Sequence, residues 1–236
     1  MIDNLLLLWT DFINSVMELF TKQNIEMLWQ GILDTIYMTL ASTALGYVVG
    51  LPMGIILAVS DKDGIHPNRI IYRILDVISN VIRSIPFLIL LILLIPFTRA
   101  IVGRSYGSTA TIVPLVITAA PYIGRLVEAS LKEVDKGVIE AAKSMGASNF
   151  NIIFHVLLVE SRTSIIRGAT IALGTILGYS AMAGTVGGGG LGDIAVRYGY
   201  YRWQTNIMVV TVILIIILFQ IFQTAGMFTA KKIERR

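Results

Sequence analysis

The sequence predicts an all-α integral membrane protein with five transmembrane helices and one cytoplasmic helical loop. Three observations carry the prediction. Only 14% of the 236 residues are charged, where a soluble domain carries about 25%. Five mainly apolar windows recur along the chain, each meeting the requirement of roughly 20 residues for crossing a bilayer. The lysines and arginines also alternate in density between successive connections, as the positive-inside rule demands of a multi-span chain.

The same composition excludes several classes. With no cysteine, neither a disulfide framework nor a thiolate metal site can form. The net charge of +4 follows the membrane asymmetry and forms no nucleic-acid face. Neither His66 nor His155 has a Cys, His or carboxylate set at metal-ligand spacing, and no Ser-His-Asp constellation suggests catalysis. Asp3 stands where a secretory signal would carry basic residues, and no small-residue cleavage site follows.

Residues 1–30 read as an N-terminal amphipathic element. Leu5, Leu8, Trp9, Phe12, Val16 and Phe20 recur at helical spacing, with Asp3, Asp11, Asn14 and Glu18 on other faces. The run is too interrupted to span, so it lies at the membrane interface or packs on the protein's own surface. Residues 31–224 form the transmembrane domain, with spans expected at 35–60, 77–98, 105–124, 168–192 and 203–230. Residues 225–236 form the C-terminal tail. Pro52, Pro86, Pro96, Pro114 and Pro121 can kink or end these helices where neighbours satisfy the freed carbonyls.

Arg83 falls early in the second span; an arginine at mid-membrane costs roughly 2.5–3.5 kcal/mol, so a structural role in which it snorkels or pairs is expected. Arg125 and Glu128, three apart at the end of the third span, read as a local pair. Lys62, Arg69, Arg73, Lys132, Lys136, Lys143, Arg162, Arg167, Lys231, Lys232, Arg235 and Arg236 fall on one side. Only Lys22, Arg99, Arg104, Arg197 and Arg202 fall on the other. The N-terminus is therefore expected outside and the C-terminus in the cytoplasm, with the 125–167 connection cytoplasmic.

That connection holds Glu140-Ala141-Ala142-Lys143-Ser144-Met145-Gly146. The two alanines favour helix and let another protein's surface approach closely. Gly146 can take the left-handed conformation that ends a helix, and Ser148 or Asn149 can cap the next. A short helix, a sharp corner and a second helix follow.

The fourth span is rich in small residues, and Gly174-x-x-x-Gly178 lets another helix approach to backbone contact. Tyr179, Ser180 and Met182 rise from it and suit a pathway wall and gate, the alternative being ordinary tight packing. The run Gly187-Gly188-Gly189-Gly190-Leu191-Gly192 lacks the Lys-Ser or Lys-Thr of a phosphate loop and reads as a flexible external turn.

The Glu140–Gly146 stretch resembles the coupling motif of ABC importer permeases, although the family's later proline is absent from Val156-Leu157-Leu158-Val159. Further stretches resemble the permease of bacterial methionine-uptake importers in particular: Arg83-Ser84-Ile85-Pro86-Phe87, Ile95-Pro96-Phe97-Thr98-Arg99, Ile101-Val102-Gly103, Ala120-Pro121, Gly178-Tyr179-Ser180-Ala181-Met182, Gly190-Leu191-Gly192 and Arg197-Tyr198-Gly199-Tyr200. The resemblance covers about 31–224 and implies the type I ABC importer permease fold. It implies a homodimer in the cytoplasmic membrane, with two cytosolic ATPase subunits, an external methionine-binding protein and membrane lipid as partners.

In that reading Glu140, Ala141, Ala142, Ser144, Met145 and Gly146 couple to the ATPase. ATP and Mg are bound by the partner subunits, and this chain binds no cofactor. L- and D-methionine are the implied substrates. A permease for another small amino acid or solute is the first alternative. An ion-coupled secondary transporter is the second, and would want acidic residues at the membrane midplane, which the five cores lack.

Overall fold

The computed structural model describes residues 21–234, all helices and connections among the described residues. The amphipathic run expected within 1–22 therefore lies almost wholly outside them. Among the described residues four helices are long and apolar enough to cross a membrane, and a bent pair, counted as one broken span, brings the number to five.

The first helix, α1 (Lys22–Ser60), runs 39 residues, or ~58 Å at 1.5 Å per residue. It exceeds a ~30 Å hydrocarbon core, so its first turns project beyond the apolar window. Residues 22–30 thus continue into the first span without a break. Pro52 sits inside α1, and the Asp61 backbone N–H closes the helix on the Leu57 carbonyl.

The second predicted span is where sequence and structure part. A continuous crossing helix is expected over 77–98; the chain instead forms α2 (Arg69–Ser84) and α3 (Phe87–Leu93), bent by 101°. Proline at 86 removes a backbone donor and steers Ile85 into extended geometry (φ −84°, ψ 125°). Asn68 starts α2 by accepting from the Ile70 and Ile71 backbone N–H groups, each at 3.1 Å. Arg83 lies exposed in the last turn of α2. A short α4 (Ile95–Val102) ends at Gly103, whose φ is +78°.

Helix α5 (Ser108–Lys132) is the centre of the bundle. Leu115, Ala119, Ile123 and Val127 are buried between α1 and the later helices. Gly46, Gly50 and Gly54 repeat every four residues along α1 and face this helix. A Cβ on Gly50 would lie 2.7 Å from the Ala120 carbonyl oxygen, and one on Gly54 2.6 Å from that of Gly124. The two helices therefore touch backbone to backbone, which dispersion rewards and which no larger residue permits.

After α5 come α6 (Lys136–Ser144) and α7 (Asn149–Glu160, with a π-helical middle), lying at the same end of the bundle as the α1–α2 connection. Helix α8 (Arg162–Ala183) returns through the bundle. It ends at Ala183, nine residues short of the 192 expected, because the glycine run turns back. A short α9 (Gly190–Ile194) follows, and α10 (Thr205–Glu234) completes the chain. Along α10, Val212, Ile213, Ile216, Ile217 and Ile221 stay exposed, while Phe219 packs against Gly174.

Candidate coupling face and pathway wall

Helix α6 is built from local signals. Asp135 caps it by accepting from the Gly137 backbone N–H at 2.6 Å. Its C-terminus closes with two bonds, Ala147 N–H to the Ala142 carbonyl (3.1 Å) and Gly146 N–H to the Lys143 carbonyl (2.9 Å). This is the Schellman arrangement, and it needs Gly146 at φ +80°. Of the two capping candidates for the next helix, Ser148 is the one used, its hydroxyl accepting from Asn151 N–H at 3.3 Å.

The helix is two-sided. Ala142 is buried against its own chain, so only Ala141 of the alanine pair is open to approach. Glu140, Ser144, Met145 and Gly146 are exposed, Met145 at 81%. Phe150 and Phe154 extend the exposed apolar edge, their rings 4.5 Å apart. An apolar edge beside an exposed carboxylate is what a protein partner would grip.

The fourth span separates the three residues expected at a gate. Met182 is 48% exposed and continues a stripe with Ile171, Thr175, Gly178 and Thr185. Tyr179 stacks on Phe87 of α3, with ring centroids 4.7 Å apart and planes at 12°. Ser180, by contrast, is 1% exposed and donates to the Leu177 carbonyl at 2.8 Å. It does not protrude: a three-residue step from Leu177 turns it into the bundle, where the backbone carbonyl satisfies its hydroxyl.

The two glycines of Gly174-x-x-x-Gly178 also part company. Gly174 receives the Phe219 ring of α10, while nothing lies within 4 Å of a Cβ on Gly178.

The glycine run is not a loose turn. Gly188, Gly190 and Gly192 are buried, and Leu191 N–H donates to the Thr35 hydroxyl on α1 at 2.9 Å. Gly107 N–H donates to the Gly187 carbonyl at 2.9 Å, tying the run to the start of α5. Gly190 at φ +76° presses against Thr35 and Met38, a fit that excludes a side chain.

A further group exceeds its sequence reading. Arg125 and Glu128 do pair (2.7 Å), but Glu128 is 4% exposed and also accepts from Lys132 (2.7 Å) and the Tyr72 hydroxyl (3.2 Å). Arg125 bonds on to Asp76, and Lys132 to Asp61 at 2.7 Å. The Lys132 ammonium holds the Asp61 carboxyl below the usual carboxylate range.

Residues 50–236 match the family described as "Binding-protein-dependent transport system inner membrane component". The chain belongs to that family. It is an all-α membrane subunit of a binding-protein-dependent transporter, and its individual relatives narrow the class. "Probable D-methionine transport system permease protein MetI" of Vibrio cholerae is 46% identical over 213 residues, 90% of this chain and 95% of that one. "Methionine import system permease protein MetP" of Bacillus subtilis is 41% identical over 217 residues, 92% of this chain and 98% of that one.

Among solved structures, a chain of "Inward facing conformations of the MetNI methionine ABC transporter" matches with a TM-score of 0.89 at 43% identity. The match covers 91% of this chain and 99% of that one. An amino acid ABC transporter matches with a TM-score of 0.74 at 20% identity and so shares the fold.

Two features of this family member escaped the reading by motif. The Gly46, Gly50, Gly54 stripe was visible as a four-residue repeat, and it outranks Gly174 and Gly178 as the close helix contact. Tyr72, which donates to Glu128, and Asp76 and Asp61, which pair with Arg125 and Lys132, had no local signal, since they lie outside α5.

Proposed function

We propose that the chain is the membrane-spanning subunit of an ATP-driven importer that carries methionine, L- and D-, across the cytoplasmic membrane. The observation that carries the reading is the match at 43% identity and TM-score 0.89 to a chain of the MetNI methionine transporter. The relatives' names point to the same substrate. Two copies pair, two cytosolic ATPase subunits grip the exposed side of α6, and an external binding protein delivers the solute. ATP and Mg stay with the ATPase subunits. The N-terminus lies outside and the C-terminus inside, in keeping with the lysines and arginines clustered at the α6 end.

Transport then follows from two surfaces. Closure of the ATPases on ATP moves α6 through Glu140, Ala141, Ser144, Met145 and the Gly146 corner. At the far end of the pathway, the Met182 side chains of two copies meet. A thioether can fill an irregular gap and leave it without breaking hydrogen bonds, so it suits an apolar plug. Tyr179 braces that wall through its stack on Phe87. Selectivity rests mainly with the external binding protein.

The test is reconstitution of the permease pair with its ATPase subunits and binding protein in proteoliposomes. Methionine uptake that needs both ATP and binding protein is the expected result. Uptake of another amino acid in preference to methionine, or uptake driven by an ion gradient without ATP, would overturn the reading.

A further inference from the structure

The buried Glu128 cluster belongs neither to the exposed side of α6 nor to the wall around Met182, yet it lies between them. A carboxylate buried alone is costly, and this one is held by donors from two helices, Arg125 and Lys132 of α5 and Tyr72 of α2. Arg125 continues to Asp76 of α2, and Lys132 to Asp61 at the end of α1. Three helices are thereby joined at one point. Lys132 closes α5, and α6 begins at Lys136. Asp61, Lys132, Lys136, Glu140 and Lys143 line one cavity of about 300 Å³ between α6 and the α1–α2 connection.

Helix α2 leaves this cluster with a one-sided hold on the protein. Tyr72, Leu75, Asp76 and Ser79 turn inward, while Ile70, Ile74, Val77 and Val81 stay exposed. The exposed row of Ile70, Ile74, Val77 and Val81 carries no side-chain hydrogen bond or ion pair that a shift of α2 would break. Its position is therefore set at its two ends, by the ionic cluster and by the 101° bend. Directly after the bend, Phe87 stacks on Tyr179, one turn from Met182.

We infer that Glu128, Arg125 and Asp76 are positioning residues for transport, which make α2 follow α6 and so carry its displacement to the Phe87–Tyr179 stack. The inference rests on the importer reading above. It gives α2 the part of a transmitting rod, with the cluster as its clasp.

The test uses the complete transporter with its binding protein in proteoliposomes, and reads methionine taken up per ATP hydrolysed. Asp76→Asn keeps the shape and removes the charge; the ratio should fall about tenfold, within the range of a single coupling free energy. Asp76→Glu should restore it.

By helical rise Asp76 lies about 12 Å from Ser84 at the end of α2, with Phe87 beyond the bend, a separation at which independent effects add. If the clasp acts through the stack, Asp76→Asn combined with Phe87→Ala should lower the ratio no further than the worse single change. Tyr72→Phe, which removes only the hydroxyl bond to Glu128, gives the same readout from a milder change.

A wild-type ratio in both Asp76→Asn and Tyr72→Phe would overturn the inference. So would effects of Asp76→Asn and Phe87→Ala that multiply in full, or lower thermal stability with an unchanged ratio. Failure of the wild-type transporter to take up methionine would count against the importer reading instead.

Discussion

Replacing Gly54 by alanine places one methyl group where α1 and α5 touch backbone to backbone. That carbon would lie 2.6 Å from the Gly124 carbonyl oxygen and 2.6 Å from Val127 Cβ. An ordinary contact begins near ~3.4 Å, so the helices must separate by about 0.8 Å or tilt. The obstacle is backbone, which cannot rotate aside as a side-chain tip can. Overpacking of this kind costs about 1–3 kcal/mol.

Alanine returns about 0.5–1 kcal/mol by relieving the entropy cost of glycine in a helix. Taking the middle of each range, the net loss is about 1 kcal/mol, and at about 2–4 °C per kcal/mol for a chain of this size Tm should fall by roughly 2–5 °C. Thermal unfolding of the purified transporter in detergent, followed by circular dichroism, measures the shift. Gly168→Ala is the control, since its Cβ would meet Leu126 Cβ at an ordinary 3.5 Å. It should be neutral or slightly stabilising. A Gly54→Ala protein as stable as wild type, or a Gly168→Ala protein as damaged as Gly54→Ala, would refute the backbone-contact argument.

Gly146→Val forces a β-branched residue into φ +80°, at roughly 1–2 kcal/mol, and should abolish ATP-driven uptake while the chain still inserts and pairs; uptake at normal expression would remove the corner from coupling. In this cysteine-free chain, a single cysteine at exposed Tyr201 should react with an impermeant thiol reagent on intact cells, and one at Ser144 should not. Met182→Ala should raise basal leak of small solutes, or uncouple hydrolysis from uptake, with little change in substrate preference; a tight, coupled variant would take Met182 out of the gate.

The last prediction concerns acid. The depressed Asp61 carboxyl contributes stability that is fully present above its unfolded-state pKa and is lost as pH falls through the lower folded-state value. Asp61→Asn should therefore flatten the acid limb of Tm against pH, and an unchanged limb would mean that other carboxylates set it.

What the linear chain carried was local or one-dimensional. Apolar run length marked four of the five spans, since a hydrocarbon core accepts only a helix of sufficient length whose backbone bonds are internal. The corner at Gly146 and the cap at Ser148 were legible because both bonds close within a few residues.

The breaks were harder. A hydropathy window over 77–98 averages a mainly apolar sequence, and an average does not register that the chain turns by 101° at Pro86. Length alone likewise placed the end of the fourth span at 192, where the glycine run in fact folds back against Thr35.

Only the tertiary structure decided which small residues matter and which charges meet. Gly50 and Gly174 are equivalent in sequence; one meets a backbone carbonyl and the other a phenylalanine ring, according to the neighbour each helix acquires. Ser180 and Met182 stand two apart on one helix, yet one is buried and the other open, because a helix rotates about 100° per residue and the bundle covers one side. Glu128 finds Tyr72 fifty-six positions away. A periodic pattern can say that a charged side chain so placed needs a partner, but which helix supplies it depends on the packing of α1, α2 and α5, and no local rule of propensity or spacing encodes that.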